Sequence, residues 1–506
     1  MSIAFIDNLD LSFISTVFGS TVPIAPQIVI ILAALLSPAI YLLTKKGKAV
    51  GLFALLMIVI SGLLTGVMIS QGENFYGEYA GLFAFDPFSG LMMLLFLAVA
   101  FITVLASLNY SEMTKYKGEY YALILGATAG MMFVAGSSNL LTIFVGVEVV
   151  SIASYAMVAL KKNDPRAAEA GFKYMVIGAI STALTLFGMS MLYGVTGTLA
   201  INEIGPVING LGFTMPVVIG LVTIIAGYGF KIAAVPFHMW APDVYEGAAT
   251  PVSGFLATGS KKMGFVALFK IFIVLFILAS TNLAESMQWT FAVIAAVTMT
   301  VGNLVAISQT NIKRMLAYSS IAQAGYILIA LAVMSQYAMQ GAMFHMFTHV
   351  FMKGGAFIIV AALITAGLGE RIEDYKGLAK RAPFMAFAML LFLFSLAGIP
   401  PLAGFTSKFV LFSSAIYVDG AVVTDWVWLA LVAILNSAIS LYYYARVVKA
   451  MYIETGESQE KVKVKGVYTF TVLLCVIGVI VLGVYPGPLL DLIGQAAGDL
   501  IGKIPL

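Results

Sequence analysis

The chain has 506 residues, 61% of them apolar and only 10% charged, with a net charge of +3 and one cysteine. Soluble domains carry about a quarter charged residues, so the composition excludes a soluble enzyme, and the small, unclustered positive charge excludes a nucleic-acid binder. The single Cys475 excludes intramolecular disulfides and cysteine-ligated zinc or iron–sulfur centres.

Apolar runs long enough to cross a hydrocarbon core of about 30 Å recur along the chain. Residues 1–23 hold Asp7 and Asp10 but no Lys or Arg, unlike the positive leader of a signal peptide, so the first run is expected to be a retained helix. The first six predicted spans are 24–44, 49–71, 86–110, 119–136, 138–160 and 168–195. Gly126 and Gly130 in the fourth suggest close helix packing. The fifth holds Glu148, the one carboxylate deep in a span. As a structural group, Glu148 would lock two helices in a buried ion pair. As a functional group it would partner a titratable lysine, since a nearby carboxylate favours the charged lysine while desolvation opposes it.

The seventh span, 213–239, places Lys231 five residues before Pro236. Proline removes a backbone donor and disrupts the helix, and broken backbone at membrane depth persists only inside protein or along a cavity. Lys231 beside this break is therefore the expected partner of Glu148. His238 follows the break and has no evident nucleophile partner, so it is a secondary candidate. Asp243 and Glu246 come next, as solvated loop acids or as a ring around the mouth of a proton path.

The eighth span, 250–280, carries Lys261 and Lys262 after Gly259 and Ser260, with Lys270 farther along and expected to snorkel. Spans at 287–308, 314–333 and 338–367 follow. In the last of these His345, His349 and Lys353 fall at i, i+4 and i+8 on one helical face. Imidazole, with a usual pKa near about 6.5, suits proton exchange, and no acid in that helix supports a metal site. The twelfth span, 383–414, is too long for one straight crossing and sets Pro400 and Pro401 before Lys408. Spans at 425–450 and 466–490 complete fourteen.

The Lys and Arg of the loops all follow odd-numbered spans, from Lys45 and Lys115 to Arg446 and Lys465, while loops after even-numbered spans have none. The positive-inside rule then places the basic loops in the cytoplasm and both termini outside, Lys503 included. A lysine at the bilayer centre costs about 2.5–3.5 kcal/mol on insertion scales, so the buried lysines call for a hydrated or ion-paired interior. Two broken, lysine-bearing helices of opposite direction suggest inverted repeats, at 119–280 (helices four to eight) and 287–450 (helices nine to thirteen). The expected fold is all-α and integral to the membrane, with fourteen transmembrane helices, two inverted five-helix repeats and broken helices seven and twelve.

The strings GYGFKIAAVPFHMWAPDVYEGAATPVSGFLATGSK, QTNIKRMLAYSSIAQAGY and SLAGIPPLAGFTSKF resemble the antiporter-like membrane subunits of the complex I family, over roughly Asp86 to Lys449. The VPFHMWAPDVYEGA and TNIKRMLAYSSIAQAGY stretches are similar to the N-type subunit. The resemblance implies key proton-carrying residues at Glu148, Lys231, Lys261 and Lys408, and favours Lys261 over Lys262. Gln323 stands where some relatives carry His, and the HMFTHVFMK stripe is closer to the larger subunits, which adds Lys353 as a proton site. The sequence runs about sixteen residues past the fourteenth span, so the long lateral helix of the largest subunit is not expected. The resemblance further implies a cell-membrane assembly with other membrane-arm subunits. Flavin, iron–sulfur clusters and a quinone-type acceptor would lie in those partners, with NADH, ferredoxin or a reduced deazaflavin as donor. A subunit of a multisubunit cation/proton antiporter is the competing expectation.

Overall fold

The computed structural model describes residues 23–71, 81–110, 116–277, 279, 281–418, 421–422, 424–456 and 460–502; Asp7, Asp10, Lys115 and Lys503, used above for leader and orientation, lie outside them. Twelve helices among the described residues are long and apolar enough to cross a membrane. The first six, α1 (Ala25–Thr44), α2 (Gly47–Ser70), α3 (Pro87–Ser107), α4 (Lys117–Gly136), α5 (Leu140–Val158) and α6 (Pro165–Thr196), match the first six predicted spans closely. Local chemistry starts several of them. Asp86 and Ser89 form a reciprocal capping box at α3, with both bonds at 2.7 Å. Asn139 caps α5, and Asp164 caps α6 ahead of Pro165.

The amphipathic helix α7 (Ile201–Leu211) buries Ile201, Ile204 and Ile208 and is too short and polar to register as a span. It leads into α8 (Met215–Ile232) and, after an irregular segment, α9 (Trp240–Gly247). Residues 250–276 form α10, which contains π-helical turns at Leu256–Ser260 and Phe269–Ile273. Then come α11 (Asn282–Ser308), α12 (Ile312–Val333) and α13 (Gln336–Thr365). The chain continues with α14 (Pro383–Ala397), α15 (Ala403–Ser413), α16 (Val427–Tyr452), α17 (Gly466–Val484) and α18 (Gly487–Gly502). A two-residue antiparallel pairing sets Tyr417 opposite Val422 before α16. Helix α18, expected as a tail, packs on α13, where Gln336 and Gln340 donate to the Gly494 and Leu490 carbonyls at 3.0 and 2.9 Å.

The predicted eighth and twelfth spans are not single regular helices. A π turn accommodates one extra residue, and α10 places one such turn directly before Lys261 and the other around Lys270. The twelfth is divided into α14 and α15. Both breaks close in the same way. After α8, Ala233 donates to Phe230 O at 2.9 Å and Ala234 to Gly229 O at 2.8 Å. After α14, Gly398 donates to Ser395 O and Ile399 to Phe394 O, each at 3.0 Å. This is the Schellman pattern, with a left-handed residue just past each helix (Ala233 at φ 54°, Gly398 at φ 93°). In each case a proline stands three residues after that left-handed position, at Pro236 and Pro401, where it cannot continue the helix.

Burial is graded. Helix α12 is enclosed throughout and α3 and α13 nearly so, whereas α1, α2, α6 and α17 turn much of their surface outward. That outer surface is apolar, with Leu35, Leu63, Ile152 and Phe172 exposed, as suits a lipid environment. Gly130 and Gly146 make the α4–α5 crossing close, since a Cβ on Gly130 would meet the Gly146 carbonyl at 3.0 Å. Gly126, expected to share that contact, has nothing within 4 Å of such a Cβ.

Candidate functional site

Enclosure leaves a run of polar and charged side chains inside an apolar shell: Lys231, Lys261, Lys262, Lys353 and Lys408 are each at most 4% exposed, and His345 and His349 are fully buried. The run starts on α5. The half-buried Glu148 accepts a hydrogen bond from Thr182 of α6 at 2.8 Å. Lys231, in the last turn of α8, does not touch Glu148. Its ammonium donates instead to Ser151, one turn along α5 from Glu148, at 2.5 Å. The expected pair thus lies within electrostatic reach through a serine rather than in contact.

An aromatic wall joins the surroundings of Lys231 to those of Lys261. The Lys231 ammonium stands 5.6 Å from the Tyr155 ring centroid. Tyr155 meets Tyr174 edge-on at 4.7 Å, Tyr174 stacks on Trp240 at 4.5 Å, and Trp240 contacts Tyr245 at 6.2 Å. Tyr245 in turn lies 5.8 Å from the Lys261 ammonium. Such faces attract a cation without binding it tightly. None of these aromatics was singled out from the sequence, where they look like ordinary core residues.

The middle of the run is organised by two adjacent serines of α12. Lys261 donates to Ser320 at 3.2 Å. Lys353 of α13 donates to Ser319 at 2.6 Å and to the Leu316 carbonyl at 3.1 Å, and Ser319 also bonds the Tyr444 hydroxyl of α16. The Ser-Ser pair inside an apolar helix was the available sequence signal. Lys262 has no hydrogen-bond partner for its ammonium among the described residues, nor has either ring nitrogen of His349. Lys262 is in electrostatic reach of both histidines, whose rings are 6.0 Å apart. His345 Nδ1 bonds Ser407 at 3.0 Å, next to Lys408.

Lys408 closes the run at the second break. It donates to the Leu396 and Ala397 carbonyls, at 2.7 and 3.2 Å, and to Ser437 at 2.9 Å. Gln323 adds a bond to Leu396 O at 3.1 Å. The ammonium therefore sits on the negative end of the half-helix α14, an interaction worth about 0.3–1 kcal/mol at an exposed end and up to about 2 kcal/mol when partly buried. Lys231 also belongs to the final turn of its half-helix, but its ammonium turns to Ser151 of α5 rather than to the carbonyls of that helix end. His238 lies within the first break, 8% exposed and with Nδ1 unpartnered among the described residues.

Lys270 is not a snorkelling residue: it is 5% exposed and donates to the Ser137 carbonyl at 2.9 Å, capping the end of α4. At the basic end of the bundle, Asp243 and Glu246 are not free loop acids. Arg314 reaches both at 2.8 Å, and Lys173 holds Asp243 at 2.9 Å and Glu169 at 2.7 Å. Burial raises the Asp243 pKa, but its hydrogen bonds to Lys173 and Arg314 outweigh that and hold the carboxyl below its usual range.

The sequence matches the model of the NADH:quinone oxidoreductase/Mrp antiporter transmembrane family over residues 137–440. It is 42% identical to F(420)H(2) dehydrogenase subunit N of Methanosarcina mazei, covering 94% of this chain and 98% of that one. It is 40% identical to NADH-quinone oxidoreductase subunit N of Desulfitobacterium hafniense, over 92% and 95% of the two chains. Its fold superposes on a chain of respiratory complex I from Thermus thermophilus with a TM-score of 0.77 at 29% identity, over 92% of this chain and 98% of that one. On these matches, spanning nearly the whole length and every buried lysine described above, the chain belongs to the NADH:quinone oxidoreductase/Mrp antiporter family of membrane proteins.

Proposed function

We propose that the chain is the N-type membrane-arm subunit of a redox-driven proton translocase and carries protons along the buried run from Lys231 to Lys408. One observation carries the reading: five lysines and two histidines lie buried between two helix breaks, and this arrangement is far too costly to keep in an inert apolar bundle. The relatives that are subunits of NADH-quinone oxidoreductases and of an F(420)H(2) dehydrogenase support the redox drive. No redox step is assigned to this chain. Flavin, iron–sulfur clusters and the quinone-type acceptor belong, in this reading, to partner subunits.

The mechanism rests on the chain's own groups. Glu148 favours the charged Lys231, and a shift of Ser151 or of the carboxylate lowers that lysine's proton affinity. The proton passes along Tyr245, Lys261 and Ser320 to Ser319 and Lys353. The unpartnered nitrogens of Lys262, His349 and His345 offer a lateral branch that water can bridge, since buried polar groups seek a partner. Lys408 receives the proton at the second break. In the same reading the twelve long helices, α10 and the α14–α15 pair make fourteen crossings, arranged as inverted repeats at residues 119–280 and 287–450. The matching closures of the two breaks support that division. The basic loops would face the cytoplasm, and protons would leave outward.

The test is electron transfer and proton pumping in vesicles holding the whole assembled complex with Lys231→Ala. Pumping is expected to fall to background with assembly intact. Normal pumping per electron would refute the role of Lys231.

A further inference from the structure

Away from the proton run, a cleft of about 330 Å³ opens between the segment after α11, the turn Ile372–Tyr375 and the last turns of α16. Arg371, Lys376 and Arg446 line it together with Glu373 and Glu454. The carboxylates are already engaged. Arg371 holds Glu373 at 2.9 Å, and Lys376 and Lys449 share Glu454 at 3.3 and 3.4 Å. Arg446 is in no ion pair among the described residues. Its guanidinium donates to the Ile307 carbonyl at 2.7 Å and to the Gln309 carbonyl, capping α11, and its Nε–H has no acceptor. The lining therefore carries one more cation than anion, and the surplus charge meets only neutral carbonyls.

The cleft sits where the bundle meets an apolar surface. On α16, Leu431, Leu435 and Tyr442 are 56%, 55% and 61% exposed, and with Arg446 they fall at helical spacing on one face. Tyrosine of this kind favours the membrane–water interface, and basic pockets between helices at that level recognise anionic headgroups. We propose that this cleft binds the phosphate of an anionic membrane lipid, with an acyl chain lying along Leu431, Leu435 and Tyr442. Arg446 and Lys376 would hold the phosphate oxygens. The site goes beyond the translocation reading and does not depend on it.

A phosphate group could come from a lipid or from solution, and one experiment separates the two. The assembled complex is placed in nanodiscs of phosphatidylcholine with a minor fraction of phosphatidylglycerol, and the phosphatidylglycerol retained on release is read by native mass spectrometry. Arg446→Gln and Lys376→Gln are each expected to lower retention about fivefold, the effect of removing one cation near a lipid surface. Lys376→Gln leaves the cap of α11 untouched and Lys449 still paired with Glu454, and an unchanged melting temperature in lipid-free detergent separates lost binding from misfolding. In neutral nanodiscs, phosphatidylglycerol is expected to raise thermal stability and inorganic phosphate to leave it unchanged. Unaltered retention in Lys376→Gln overturns the proposal, whatever Arg446→Gln does. Equal stabilisation by inorganic phosphate overturns the lipid as its source.

Discussion

Two neighbouring kinds of buried lysine can be told apart by what their ammonium groups touch. Lys408 has three hydrogen-bond acceptors and a helix end, so replacing it removes both a burial cost and the bonds that offset it. Lys262 has the cost without the bonds. Lys262→Met is therefore expected to stabilise the assembled complex, by at most about 3 kcal/mol, the insertion cost of a lysine. Lys408→Met is expected to gain nothing or lose stability, since hydrogen bonds to charged groups are worth about 1.5–3 kcal/mol. Thermal denaturation of the two variants decides the matter, and a less stable Lys262→Met would contradict the geometry. Of the adjacent pair, Lys261 holds Ser320 at 3.2 Å, while Lys262 lies in electrostatic reach of the histidines.

Among the elements, the α4–α5 crossing separates two glycines that look alike in sequence. Gly130→Ala would drive a methyl into the Gly146 carbonyl and Val150, with an overpacking cost of about 1–3 kcal/mol. Gly126→Ala meets open space and gains helix propensity of up to about 1 kcal/mol. The first is expected to lower the unfolding temperature of the complex and the second to hold or raise it; equal effects would mean that the helices do not cross at Gly130. The two helix breaks were legible beforehand because proline and glycine act locally on the backbone. The π turns of α10 were not, since an extra residue in a helix leaves no mark in hydropathy. They are visible only in the backbone hydrogen-bond pattern of the folded helix, at Leu256–Ser260 and Phe269–Ile273.

For the molecule as a whole, the ion network at the basic end ties α9, which follows the first break, to α6 and α12 through Asp243, Lys173 and Arg314. The folded Asp243 carboxyl titrates below its unfolded value. Its contribution to stability is therefore complete above the unfolded pKa, near about 3.9, and is lost as pH falls through the folded pKa. Asp243→Asn is expected to be less stable than the parent at neutral pH, with the difference shrinking as the pH drops below about 4. Melting curves across that range check it, and a difference independent of pH would remove the network from the account.

Sequence alone determined the membrane class, the helical architecture, both breaks and the family, because each rests on local quantities: span-length hydropathy, proline chemistry and unusual strings of residues. It also identified Lys231, Lys261, Lys262, Lys270, Lys353, Lys408 and the three histidines, since a charge in an apolar run is conspicuous by cost alone, but it placed Lys117 and Lys313, which the fold buries, in loops. Only the tertiary structure decided how those groups connect. Ser151 stands between Glu148 and Lys231, and Ser319 and Ser320 divide Lys353 from Lys261. The aromatic wall of Tyr155, Tyr174, Trp240 and Tyr245 comes from three separate helices, α5, α6 and α9. A bonded serine costs little to bury and a tyrosine is mostly apolar ring, so neither raises a signal in one dimension, and their contacts are set by packing between helices distant in sequence.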